Sequence, residues 1–149
     1  MAFKELTLLK YASDLVIAHA DFHFSNDNAN VTPGAAPFKL GTIVHRPKGS
    51  APTVAWTALA ADADVVDTNE FAFLFGDHYG FKYDFTPKAI VTGKWNAVVV
   101  VRDAGFKEFY VKELYKTVLA AAPYALLQRL LADQNLIVLE DVSDLKVTF

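Results

Sequence analysis

Ser25 to Arg46 reads S-N-D-N-A-N-V-T-P-G-A-A-P-F-K-L-G-T-I-V-H-R, and the fold turns on how this stretch is read. Its first part is polar and rich in turn formers. Pro33-Gly34 suits a tight turn, because proline holds φ and glycine accepts positive φ. The stretch closes with Gly41-Thr42-Ile43-Val44, which reads as the first strand of a compact body. A surface loop feeding a strand is the reading that loop behaviour favours. The segment before Ser25 is too short to fold alone, whereas the segment after it is long enough to bury a core. The expected organisation is an N-terminal arm over 1–24 and a single β-rich body over 25–149.

Upstream, Met1 to Asp14 shows no clear period. Leu15 to Phe24, L-V-I-A-H-A-D-F-H-F, alternates. Val16, Ala18, Ala20, Phe22 and Phe24 fall on one face at period two, and Ile17, His19, Asp21 and His23 on the other, which predicts a strand with one apolar face. An apolar strand on an arm has to be buried somewhere, either in its own body or against another chain.

Downstream, Pro47 to Pro52 is a turn and Thr53 to Trp56 a short returning strand. Leu59 to Asp64 is alanine-rich with acids at Asp62 and Asp64. Phe71 to Phe75 is a continuous apolar run closed by Gly76-Asp77, the pattern of a buried strand. His78 to Gly93 is a loop or hairpin. Trp95 to Arg102, W-N-A-V-V-V-V-R, is the strongest strand signal, because consecutive β-branched residues suit a pleated surface. Ala104 to Ala121 reads both ways. Phe106, Tyr110, Leu114 and Val118 recur every four residues, as in a helix, while Phe109-Tyr110-Val111 suits a strand. Pro123 to Gln134 is a helix with a leucine stripe, Asn135 its left-handed terminator, and Leu136 to Leu139 a strand. Leu145, Val147 and Phe149 alternate. The fold class is α+β, mainly β, with one firm helix in the C-terminal half.

Composition removes several classes of function. With 53% hydrophobic and 21% charged residues, the chain is globular and not disordered. It has no cysteine, so disulfides, thiolate metal sites and a cysteine nucleophile are excluded. A net charge of −3 without a basic block disfavours tracking of a nucleic-acid backbone. No apolar run is long enough to span a bilayer, and the N-terminus lacks the apolar core of a secretory signal. His19, Asp21 and His23 share one side of a strand as metal ligands would, but with no fourth ligand nearby a polar strand face is favoured. Asp62, Asp64 and Asp67 are too sparse for a calcium loop. No zinc-protease, phosphate-loop or nucleophile-elbow motif is present, and Ser13, Ser25 and Ser143 have no assignable base. No catalytic, cofactor or metal site is expected. Trp56 and Trp95, beside strands, are candidates for a core or subunit-interface role.

Ser25-Asn26-Asp27-Asn28, the small-residue turn and Gly41 to Val44 resemble the entry to the body in lambda-type phage head decoration proteins. The valine strand ending in Val101-Arg102-Asp103-Ala104, the leucine helix and the strand after it resemble the way that body closes. The similar blocks are Ser25 to Val44, Ala58 to Asp67, Ala97 to Ala104 and Leu126 to Leu139, in order, over roughly half the chain. His78 to Gly93, the tail after Leu139 and the long apolar arm depart from the pattern. The resemblance implies a β-clip-like body that forms homotrimers. It implies a cement protein on the outer surface of the expanded phage capsid, at threefold positions, with the major capsid protein as partner and no nucleic acid, membrane or cofactor. The arm would bind the capsid by strand addition through Val16, Ala18, Ala20, Phe22 and Phe24. Another virion or tail structural protein is the first alternative, and a small hydrolase or carbohydrate-binding domain the second.

Overall fold

A computed structural model describes residues 16–19, 26–76 and 84–139. Among these residues ten strands and two helices follow in the order β1 (Val16–His19), β2 (Asn26–Ala29), β3 (Phe38–Lys39), β4 (Ile43–Pro47), β5 (Thr57–Ala58), β6 (Asn69–Gly76), β7 (Asp84–Phe85), β8 (Ala97–Val100), β9 (Ala104–Lys107), α1 (Glu108–Tyr115), α2 (Ala121–Ala132) and β10 (Leu136–Leu139), with a 3-10 turn at Asp62–Asp64. They form a five-stranded sheet in the order β2-β8-β6-β4-β5, a three-stranded sheet β1-β9-β10 and a two-stranded ribbon β3-β7. The α+β, mainly β class expected from the sequence is what the chain adopts.

The five-stranded sheet is antiparallel, yet β6 is buried along Phe71–Gly76. An antiparallel strand usually shows one face to water. Here both faces are covered, which explains the unbroken apolar run. Phe71, Phe73 and Phe75 point into one cluster with Ile43 and Val100, covered by Phe106, Tyr110, Leu127, Leu131 and Leu136 from the second sheet and the helices. Phe73 and Phe106 stack with ring centroids 3.7 Å apart. Ala72 and Leu74 point the other way, into a cluster of Val31, Val44, Trp56, Phe85, Ala97 and Val99. Each large apolar side chain so enclosed contributes about 1.5–3 kcal/mol.

Three readings shift. The polar stretch after Ser25 is not a loop throughout: Asn26–Ala29 is a strand, antiparallel to β8. It lies at a sheet edge, where side-chain polarity is tolerated. The positive φ expected at Gly34 occurs at Gly41 (φ 81°), in a turn closed by Thr42 N–H donating to Lys39 O at 3.0 Å. At Gly34 a Cβ would instead meet the far edge of the half-buried Phe38 ring at 2.8 Å, so a larger residue there would push that ring aside. The returning strand is Thr57–Ala58, not Thr53–Trp56. Trp56 forms only a bridge to Val31.

Ala104 to Ala121 holds both a strand and a helix, but not where each was read: Phe109-Tyr110-Val111 is helical, and Phe106, the first residue of the four-residue repeat, is in a strand. Ala104–Lys107 is β9, and the chain enters α1 at the next residue. A second helix therefore joins the one expected. Asn135 is left-handed at φ 58° and delivers the chain from α2 into β10, as its position predicted. The alternation at Leu145, Val147 and Phe149 lies outside the described residues.

The strands are short, and side chains complete their ladders. β8 reaches only Phe73 of β6. Beyond it, Gln134 takes the place of a strand: Phe71 N–H donates to Gln134 Oε1 at 2.9 Å, and Gln134 Nε2 donates to Phe71 O at 2.7 Å. Asn96 does the same for Val31, at 2.8 Å and 2.9 Å. On the other side of the sheet, Leu59 N–H donates to Ile43 O, but the next rung is a tyrosine, with Ile43 N–H donating to Tyr115 Oη at 2.6 Å. Tyr110 Oη donates to Leu40 O at 2.6 Å. Buried backbone groups need partners, and α1 supplies one to Leu40, between β3 and β4, and one to Ile43 at the start of β4.

Candidate functional site

The arm expected to reach another chain is paired to this one over Val16–His19. β1 runs antiparallel to β9, with Val16 opposite Phe106 and His19 opposite Ala104. The arm and body boundary at residue 24 therefore does not separate β1 from the body's sheets. Of the five residues proposed for strand addition, Val16 and Ala18 lie on this strand. Ala20, Phe22 and Phe24 lie outside the described residues. β1 is an edge of its sheet, and no described strand pairs with its outer side.

The two tryptophans part company. Trp56 is 2% exposed, with the Arg46 guanidinium 4.2 Å from its ring centroid. The same guanidinium is held by Glu70 and reaches Ala51 O and Val54 O. Trp56 is thus a core residue and offers no surface to a subunit interface. Trp95 is half-buried.

The polar groups that looked chemical are engaged structurally. Asp62 Oδ1 accepts the Ala120 N–H at 2.9 Å, anchoring the start of α2, where a negative charge also suits the helix dipole. Asp64 Oδ2 accepts the N–H groups of Ala60 and Ala61, both at 2.9 Å. His45 has partners that the sequence did not suggest: Asn69 Nδ2 lies 3.2 Å from its Nδ1, and Asp64 Oδ1 3.8 Å from its Nε2. Asn69 Nδ2 also donates to Asp64 O. These contacts tie β4 to the turn before β6. Asp27 pairs with Arg102 at 3.0 Å on the surface. His19 is in β1, while Asp21, His23 and His78 lie outside the described residues. Among the described residues no cluster of three or more metal-ligating side chains occurs, and no helix is long and apolar enough to cross a membrane.

Two tyrosines are perturbed. Burial pushes the Tyr115 hydroxyl far above its ordinary range, with the bond to the Ile43 backbone opposing it weakly. Burial, reinforced by the Glu108 carboxylate, pushes Tyr124 up to about 12. Glu108 is itself bridged by Lys112 at 2.9 Å and Gln128 at 3.2 Å. Both tyrosines are neutral at any physiological pH; Tyr115 is hydrogen-bonded to the Ile43 backbone, whereas the buried Tyr124 hydroxyl has no partner.

Among the described residues, strand edges and a few exposed apolar side chains are open to binding. β10, the other edge of the three-stranded sheet, presents Ile137 and Leu139 at 48% and 42% exposure, and Phe109 at the start of α1 is 57% exposed. β2 is an edge of the five-stranded sheet. Its end residue Asn26 is 8% exposed, and Asn30, just beyond it, is 7% exposed. Oδ1 and Nδ2 of Asn26, and Oδ1 of Asn30, have no hydrogen-bond partner. Sequence reading passed over these two residues together with Asn96, Gln134, Tyr110 and Tyr115, because a carboxamide that completes a ladder looks the same in sequence as one on the surface.

Comparison with family models, with curated proteins and with solved structures finds no match to this chain.

Proposed function

We propose that this chain is a decoration, or cement, protein of a phage head, acting by binding and not by catalysis. The observation that carries the reading is how the four blocks of resemblance come together. Ser25 to Val44 supplies β2, β3 and the start of β4. Ala58 to Asp67 supplies the end of β5 and the 3-10 turn. Ala97 to Ala104 supplies β8 and the first residue of β9, and Leu126 to Leu139 supplies most of α2 and all of β10. β2 pairs with β8, β4 with β5, and β9 with β10. Blocks far apart in the chain are thus neighbours in one body, as expected if they descend together from one ancestral domain.

In this reading the protein forms homotrimers at threefold positions on the outside of the expanded shell and ties major capsid subunits together. The mode of attachment is revised from the sequence. The inner edge of β1 is taken by β9, so a capsid strand adds at its outer edge and β1 becomes an interior strand of a shared sheet. A contact of four residues is weak alone. Three on one trimer raise the effective concentration and tighten attachment without new contacts.

The test is co-sedimentation with expanded and unexpanded heads of the phage that encodes the chain, using full-length protein beside a chain that starts at Ser25. The truncation also strips a strand from β9, so its fold is checked by near-UV circular dichroism. Pelleting of full-length protein with expanded heads alone, and of the folded truncation with neither, supports both function and mode. Pelleting of both chains places attachment outside β1. Pelleting of neither refutes the decoration reading.

A further inference from the structure

We propose that the outer edge of β10 is the docking site for the segment that follows it in the same chain, residues 140–149, which lies outside the described residues. The proposal is independent of the decoration reading.

β10 has two unlike faces. Leu136 is fully buried and Val138 packs against the core, whereas Ile137 and Leu139 are 48% and 42% exposed. Alternate residues of a strand point to opposite faces, so Ile137 and Leu139 share the outer face of the β1-β9-β10 sheet. Their neighbours across the ladder are Gly105 and Lys107 of β9. Glycine brings no side chain to cover Ile137, and a lysine keeps its charged end in water. On the other side of β10 no described strand is present. The edge therefore offers unpaired backbone together with two apolar side chains open on one flank.

The occupant follows from the sequence and from where β10 stops. Residues 140–149 read E-D-V-S-D-L-K-V-T-F and continue directly from Leu139. The first five are rich in Asp and Ser, which favour turns. The last five alternate apolar and polar at the period of a strand. A reversal within the first five lays the last five back along β10 as a hairpin, and the four residues of β10 span only about 13 Å. The pattern also sets the register. Cross-strand partners in an antiparallel pair lie on the same face. A connection of three or five residues puts Leu145 opposite Leu139 and Val147 opposite Ile137, apolar against apolar on the outer face. A connection of four puts Lys146 beside Ile137 and sends Leu145 and Val147 to the face where Leu136 and Val138 already have cover. A slip of one residue flips every side chain, so the odd connection is the one that matches the exposed pair. A second copy would bring the same side chains, but residues 140–149 are already tethered to β10, and closing so short a loop costs little. With this edge filled, the sheet has four strands and β1 is the edge it leaves for a partner.

The chain has no cysteine, so an introduced pair has no competing thiol within it. Directly opposed residues bring their Cβ atoms close enough for a disulfide. Three double variants of the full chain are oxidised under mild conditions. Ile137→Cys/Val147→Cys and Leu139→Cys/Leu145→Cys match the proposed register. Ile137→Cys/Lys146→Cys places its side chains on opposite faces and is the control. Non-reducing gels separate a bond within one chain from a bond between two, and thermal melts of the reduced proteins check folding, each matched pair guarding against misfolding of the other. The expected result is that the matched pairs close within one chain at least about tenfold faster than the control. A control that closes as fast as the matched pairs overturns the proposal. So does the absence of a bond in a matched variant that folds. Bonds formed mainly between chains assign the edge to a second copy and overturn the same-chain assignment.

Discussion

Replacing Tyr115 by Phe deletes one oxygen and leaves the ring. Tyr115 is 4% exposed, and its Oη accepts the Ile43 N–H at 2.6 Å. The ring still fills its site, so no cavity term enters. What changes is that a buried backbone N–H at the start of β4 loses its acceptor where β5 has ended. An unsatisfied buried donor costs about 1–3 kcal/mol. For a chain of this size each kcal/mol moves the melting temperature by about 2–4 °C, so a cost near 2 kcal/mol lowers Tm by roughly 4–8 °C. Tyr110→Phe is the internal comparison. It deprives the Leu40 carbonyl, and an under-satisfied carbonyl is tolerated better than an orphaned N–H, so its loss is the smaller of the two.

The pH dependence sharpens this test. The Tyr115 hydroxyl titrates higher in the folded chain than the ordinary value of about 10. Below pH 10 both states carry the proton and the group adds no slope. Above it the unfolded chain loses the proton first, so the folded state binds more protons and stability falls as pH rises, by about 1.4 kcal/mol per pH unit from this one group. Tyr115→Phe lacks that slope. The gap between wild type and variant, measured by urea unfolding at pH 7, 9, 10 and 11, is therefore widest at neutral pH and narrows above pH 10. Other groups that titrate in this range are common to both proteins and cancel in the difference. A variant as stable as wild type at pH 7, or a gap that does not change above pH 10, refutes the argument that this hydroxyl is a rung of the sheet.

Gln134→Ala removes the side chain that holds both backbone groups of Phe71; urea unfolding is expected to show a loss of about 1–3 kcal/mol, with hydrogen exchange of the Phe71 amide accelerated beyond that of Leu74. Asn135 sits at φ 58°, where a residue with an ordinary Cβ costs roughly 1–2 kcal/mol and glycine costs none. Asn135→Ala should therefore lower Tm, Asn135→Gly should not, and equal effects of the two would place the strain elsewhere.

Sequence reading succeeded where one physical demand dominated. Phe71 to Phe75 is apolar at every position because β6 has a layer on each side, and Asn135 is legible because few residues enter the left-handed region cheaply. It failed at β2. Asn26-Asp27-Asn28 carries no β-branched or aromatic residue and scores as a turn, yet an edge strand paired along one side with β8 draws its stability from Val98, Val99 and Val100 opposite. Ala104 to Ala121 is ambiguous because Phe109-Tyr110-Val111 has strand-like residue types inside what is a helix, while the true strand, β9, is the Ala104–Lys107 segment that runs into α1 without a linker. Trp56 lies beside a strand, as expected, but whether such a tryptophan faces a partner or its own core depends on Arg46, whose position above the ring comes from β4.

The harder failure concerns which polar residues matter. Charge and titratable chemistry drew attention to Asp62, Asp64 and His45, and all three hold turns and helix ends. The residues that determine where the sheets stop are neutral: Gln134, Asn96 and Tyr115. Each closes a place where a short strand ends and would otherwise expose backbone. That economy has a consequence for binding. A protein that plugs its interior strand ends with side chains leaves outer edges without a described strand beside them, at β1 and β10, at β2 and β5, and on the β3-β7 ribbon. An open edge is an aggregation hazard unless it is short or blunted by polar groups. β1 and β10 are four residues each, and β2 is four residues of mostly polar sequence. Edges this short bind one another poorly in solution, yet they can serve a partner that engages several at once. The trimer on a multi-subunit shell proposed above would meet that condition. The same lengths predict that the isolated chain stays soluble while its edges are unfilled, and that attachment falls off steeply, not in proportion, when one edge is removed.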